Sequence, residues 1–95
     1  MKLYHVVSTK QYRKDFKRLK KSGMDTKKLD TVIDMLANGT ALPEQYRDHP
    51  LKFSLDSTRE CHIGPDWLLV YVKHERDLVL LLVRTGTHRD ALGIE

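Results

Sequence analysis

A turn sets the first constraint on the fold: Gly64-Pro65 stands between two short runs rich in β-formers, Arg59 to Ile63 and Trp67 to Lys73. Strong turn chemistry between two such runs predicts a hairpin. Strand side chains alternate, so Cys61 and Ile63 share one face while Glu60 and His62 share the other. That points the His62 imidazole away from the apolar side, and the turn holds His62 and Asp66 near one end of the sheet. A second polar turn, His74 to Asp77, leads into Leu78 to Val83, an apolar run too short for a helix of ordinary length. It is expected to be a central strand covered on both faces.

Upstream of the hairpin the period changes. Tyr4 to Ser8 reads as a first strand, with Ser8 or Thr9 available to cap a helix from Lys10 to Ser22. Tyr12, Phe16 and Leu19 form its apolar stripe, and Gly23 stands where a left-handed cap is wanted. Asp25 or Thr26 caps a second helix through Asn38, with Leu29, Val32, Ile33 and Leu36 on one side and Gly39 as the stop. Ala41 to Pro50 holds two prolines and no sustained period, so it reads as a loop, and Leu51 to Leu55 as a short strand or extended lead-in. The sum is one α+β domain over residues 1–95, a helical hairpin packed on a small, mainly antiparallel sheet in β-α-α-β-β-β order.

Charge is unevenly placed. Residues 1–30 hold ten Lys/Arg against three Asp/Glu, and the remainder holds seven against ten, for a net +4. Lys10, Arg13, Lys14, Lys17, Arg18, Lys20 and Lys21 crowd the first helix, with only Asp15 to offset them. Such a concentration is either a solvated face or a surface for a polyanion. The single cysteine, Cys61, is expected to be a buried structural thiol. No apolar run approaches the roughly 20 residues of a membrane helix, and no secretory pattern opens the chain, so a cytoplasmic location without membrane contact is expected.

Three histidines stand where loops leave elements: His49 before Pro50, His62 before the turn, and His88 after the last strand. With Asp66 and Arg84 they offer proton carriers and a fixed cation, and Trp67 an aromatic neighbour. That inventory suits metal-free RNA cleavage, in which the 2′-hydroxyl loses a proton, the 5′-oxygen gains one, and charge builds on phosphate oxygens between those events. Imidazole serves either transfer, and guanidinium holds two phosphate oxygens at once. His62 with Asp66 and a second histidine are also potential metal ligands, but they match no recognised ligand motif, so neither metal nor cofactor is expected.

Arg47-Asp48-His49-Pro50-Leu51, Arg59 through Tyr71, and Arg84-Thr85-Gly86-Thr87-His88 together resemble the YafQ branch of the RelE/ParE superfamily, bacterial toxins of type II toxin-antitoxin modules. The resemblance covers essentially the whole chain. It implies a ribosome-dependent endoribonuclease that cuts mRNA in the decoding site and is silenced by a cognate antitoxin. The family's functional positions fall on His49, His62, Asp66, Trp67, Arg84 and His88. Carried over from the resemblance, the expected roles are His88 as general acid, Arg84 as the phosphorane's counter-charge, Asp66 or His49 as base, His62 as an orienting or polarising group and Trp67 as support, with acid and base open to exchange. Where the family often has an aromatic residue near its end, this chain has Leu92, which can pack but presents no aromatic face. The Lys10 to Lys21 arc is then the expected rRNA-docking surface. ParE-like relatives share the fold, lack the ribonuclease residues and poison gyrase. A plain RNA-binding module is the other alternative.

Overall fold

The computed structural model describes residues 3–51 and 57–87. Its elements are β1 (His5–Ser8), α1 (Lys10–Lys21), α2 (Thr26–Ala37), a 3-10 turn (Glu44–Tyr46), β2 (His49–Pro50), β3 (Thr58–Gly64), β4 (Trp67–His74) and β5 (Val79–Thr87). Among the described residues, five strands form one sheet in the order β1-β5-β4-β3-β2. β1 runs parallel to β5, and the other pairs are antiparallel.

Local chemistry sets the helix limits. Thr9 is the N-cap of α1, its hydroxyl accepting from the Tyr12 amide at 2.9 Å, and Asp25 caps α2 by accepting from the Lys27 amide at 3.1 Å. Each saves an otherwise unpaired donor of the first turn, worth about 1 kcal/mol. Gly23 and Gly39 follow the helices with φ of 83° and 75°, the left-handed geometry that glycine adopts without steric cost.

Both helices cover one sheet face. Leu29, Val32, Leu36, Cys61, Trp67, Leu69, Tyr71, Leu80 and Leu82 are buried there together with Tyr12 and Leu19. On the opposite face Leu68 and Val70 form a smaller cluster with Leu51 and Val83. β3 obeys the expected alternation, with Cys61 and Ile63 in the helix-covered core and His62 half-buried on the other side. No helix among the described residues is long and apolar enough to cross a membrane.

Three expectations need correction, and a fourth falls mostly outside the described residues. The stretch from Ala41 to Pro50 is not all loop: it holds the 3-10 turn and, at His49–Pro50, the edge strand β2. A two-residue strand exists only by pairing with β3, so no local period announces it. The hairpin turn is Pro65-Asp66, because Gly64 still pairs with Trp67. The strand or extended lead-in expected at Leu51 to Leu55 lies, beyond Leu51, outside the described residues. Asp15 does not sit on the solvated arc of α1 but is buried, with 1% exposure.

Between β4 and β5 the register shifts by one. Tyr71 pairs with Leu82 and Val70 with Arg84, so Val83 is the extra residue of a β-bulge.

Candidate active site

The pairing places four residues in one row across the sheet: His49 opposite Glu60, Glu60 opposite Val70, and Val70 opposite Arg84. Strands lie about 4.8 Å apart, so Glu60 and Arg84 stand roughly 10 Å from one another along this row. His62 is two residues beyond Glu60 on the same face of β3.

At the β2 end the row is a compact cluster. Glu60 is fully buried, and its Oε1 lies 3.3 Å from His49 Nε2 and 4.0 Å from His62 Nε2. The imidazole rings are 5.9 Å apart, centroid to centroid. His49 Nδ1 lies 3.0 Å from the Pro50 carbonyl oxygen. A carbonyl can only accept, so Nδ1 carries the hydrogen and Nε2 faces the carboxylate. A proton on Nε2 lies beside the Glu60 carboxyl group. The ligand atoms of His49, Glu60 and His62 also lie within 4.8 Å of one another. Two imidazoles and a carboxylate form a donor set that fits a divalent transition-metal ion. Sequence reasoning sought that set in His62 and Asp66, whereas the third member of the cluster is Glu60.

Asp48 anchors the segment that carries His49. Tyr71 Oη donates to Asp48 Oδ1 at 2.6 Å, and Arg59 Nε donates to the same oxygen at 3.1 Å. Burial, reinforced by this hydrogen bond, pushes the Tyr71 phenol well above its ordinary value. The preceding residue, Arg47, has φ of 45°, a left-handed turn unusual for a side chain other than glycine, asparagine or aspartate. The chain thus turns sharply into Asp48, which reaches the helix-covered face, and His49, which reaches the other.

Arg84 lies at the opposite end of the row, one-third exposed, with Nε 3.1 Å from Asp15 Oδ2. Trp67 is buried beneath the site, its Nε1 donating to Thr85 Oγ1 at 3.0 Å, while Thr85 Oγ1 donates to the Leu68 carbonyl at 2.8 Å. At 3% exposure its indole supports the sheet and offers no face for a base to stack on. Asp66 is exposed in the turn between β3 and β4. His88 and Leu92 lie outside the described residues. Lys10, Arg13, Lys14, Lys17, Arg18, Lys20 and Lys21 are all exposed along α1.

Sequence reasoning missed Glu60, Asp48 and Asp15 as site-building residues. The first two had signals: Glu60 shares the His62 face of β3, and Asp48 immediately precedes His49. Asp15 falls at the i+3 position of the Tyr12, Phe16, Leu19 stripe, where an acid is conspicuous.

A family model described as a bacterial toxin of a type II toxin-antitoxin system, YafQ, matches residues 4–93. The mRNA interferase toxin YafQ of Escherichia coli strain K12 is 42% identical over 84 residues, which span 87% of this chain and 89% of that protein. A metal-bound toxin from Helicobacter pylori superposes with a TM-score of 0.86 at 44% identity, covering 90% of this chain and 94% of that one. The E. coli DinJ-YafQ toxin-antitoxin complex gives 0.84 at 37% identity, covering 90% and 93%.

Proposed function

The chain belongs to the YafQ family of type II toxin-antitoxin toxins and is an endoribonuclease of the mRNA interferase kind, and we propose that it cuts mRNA on the ribosome by side-chain acid-base catalysis. The observation that supports this most is the row His49, Glu60, Arg84 on one sheet face, with His62 beside it. It puts a proton-accepting group and a cation that can bind phosphate on one face of the sheet.

In this scheme His49 Nε2 removes the 2′-proton and Glu60 stabilises the imidazolium that forms. His62, on the other side of Glu60, orients the nucleotide. Arg84 carries the charge that builds on the non-bridging oxygens, and His88 protonates the leaving 5′-oxygen. Asp66, in the turn beside His62, is the alternative base. Acid and base each contribute roughly 10²- to 10⁴-fold. A metal ion at His49, Glu60 and His62 would occupy the lone pairs that this scheme uses for protons. The exposed cations of α1 dock the toxin among rRNA phosphates, in the cytoplasm where ribosomes are found. As in the DinJ-YafQ complex, a cognate antitoxin protein is its partner.

Primer extension on a defined mRNA, with and without translating ribosomes, tests the proposal. Cuts are expected only with ribosomes, at codon-phased positions, and to fall at least 100-fold in His49→Ala and His88→Ala. Toxin stripped of metals by a chelator before assay is expected to cut as before. Cleavage of free mRNA at an equal rate, or full activity in both variants, would overturn it.

A further inference from the structure

An acid buried within a basic helix demands a reason. Moving a carboxylate out of water is costly unless it is paired and fully hydrogen-bonded. Asp15 is 1% exposed, and both of its oxygens are engaged twice. Oδ1 accepts from Gln11 Nε2 at 3.0 Å and from Arg84 Nη2 at 3.2 Å. Oδ2 accepts from Arg84 Nε at 3.1 Å and from the Thr85 amide at 3.2 Å.

Topology explains why a helix residue reaches a strand here. β1 ends at Ser8, whose partner is Leu82, so β5 continues beyond it with an open edge. The Thr9 amide donates to the Leu82 carbonyl at 3.0 Å and its hydroxyl to the Val83 carbonyl at 2.7 Å, which swings α1 along that edge. Asp15, one and a half turns later, meets the Thr85 amide where a strand carbonyl would otherwise stand. The neighbouring Arg84 reaches round the edge to the same carboxylate.

From this geometry we infer that Asp15 is the positioning residue for Arg84 in the cleavage reaction, an inference that rests on the phosphate-binding role of Arg84 given above. The carboxylate grips the side edge of the guanidinium, Nε and Nη2. The end edge, formed by Nη1 and the second hydrogen of Nη2, stays available to two phosphate oxygens. A free arginine carries many rotamers, and each non-productive one subtracts from catalysis. Asp15 fixes the side chain before substrate arrives.

Asp15→Asn is nearly isosteric but sets an amide N–H against a guanidinium N–H. It is expected to lower kcat about tenfold, within the loss that a small misplacement causes, and to leave KM for programmed ribosomes unchanged. The decisive comparison is a double-mutant cycle. In an Arg84→Ala background the same Asp15→Asn change is expected to lower kcat less than twofold, because the group it positions is gone. A full tenfold loss in that background would show that Asp15 acts only on the fold, and an unchanged kcat in the single variant would likewise overturn the inference. Arg84→Ala alone reports on the underlying role: wild-type activity there would sink the catalytic assignment of Arg84 itself. Independently of any variant's folding, the Arg84 Nε–H proton of ¹⁵N-labelled wild-type toxin is expected to exchange slowly with water. Fast exchange at neutral pH would mean that Asp15 does not hold it.

Discussion

Replacing Tyr71 with phenylalanine removes one hydroxyl and isolates the bond that anchors the His49 segment. Tyr71 is 1% exposed and its Oη donates to the ionised Asp48 at 2.6 Å. A hydrogen bond to a charged acceptor contributes roughly 1.5–3 kcal/mol. Phenylalanine fills nearly the same volume, so no cavity adds to the loss. The Asp48 side chain is 24% exposed and keeps Arg59 Nε at 3.1 Å, so returning water offsets part of the effect. The expected cost is therefore about 2 kcal/mol, which in a domain of this size lowers Tm by roughly 8–16 °C. The pH dependence gives a second, sharper check. Burial and the Asp48 bond raise the Tyr71 pKa in the folded state, so the unfolded chain releases this proton first. The stability that the phenol contributes is complete below about pH 10 and declines as pH rises above it toward the folded-state value. Phenylalanine has no proton to lose, so the gap between the two proteins is expected to narrow above pH 10. Thermal melts followed by circular dichroism at pH 7, 9 and 11 measure it. Equal Tm values at pH 7, or a gap that stays constant to pH 11, would refute the role given to this bond.

Other outcomes follow from the same structure. Burial, with the charges of Asp48 and Glu60 adding to it, pushes the Cys61 thiol up to about 12, so the native protein is expected not to react with a thiol-specific disulfide reagent at pH 8. Rapid labelling without denaturant would contradict that. Thr85→Val leaves the buried Trp67 N–H without its acceptor and is expected to cost about 1–3 kcal/mol, visible in Tm and in tryptophan fluorescence. Reversing Lys14, Lys17 and Arg18 to glutamate is expected to weaken ribosome binding and lower the slope of log affinity against log salt by about three, one per lost phosphate contact. These side chains are exposed, so the melt should barely move, and undiminished binding at physiological salt would exclude α1 as the docking surface.

Much of this architecture is legible because it is set locally. Thr9, Asp25, Gly23 and Gly39 mark helix ends by hydrogen bonds and dihedral angles that involve only a few neighbouring residues. The β3 alternation likewise separates Cys61 from His62 without reference to any other strand. What the sequence hides is non-local. β2 exists only through β3, and β1 meets β5 only after more than seventy residues of intervening chain. Asp15 is conspicuous on the apolar stripe of α1, but its partner is hidden until Arg84, 69 positions away, is brought against it. Glu60 shows the same limit, since a polar residue on a half-buried strand face reads as solvated until His49 closes over it.

The extra residue at Val83 works as a spatial frameshift. Before it, the even positions Leu80 and Leu82 belong to the helix-covered core. After it, Arg84 shares a row with Val70 on the opposite face, and the odd position Thr85 turns inward to Trp67. One strand is thereby a core wall at its start and part of a reaction surface at its end. In this stretch strand register is more strictly determined than residue identity. A change of side chain at Val83 alters packing in one small cluster, whereas pairing without the bulge, with Val83 opposite Val70, would exchange the faces of Arg84 and Thr85, sending the guanidinium beneath the helices and the hydroxyl into water. A toxin paired that way would keep every functional residue in its sequence and lose their common face.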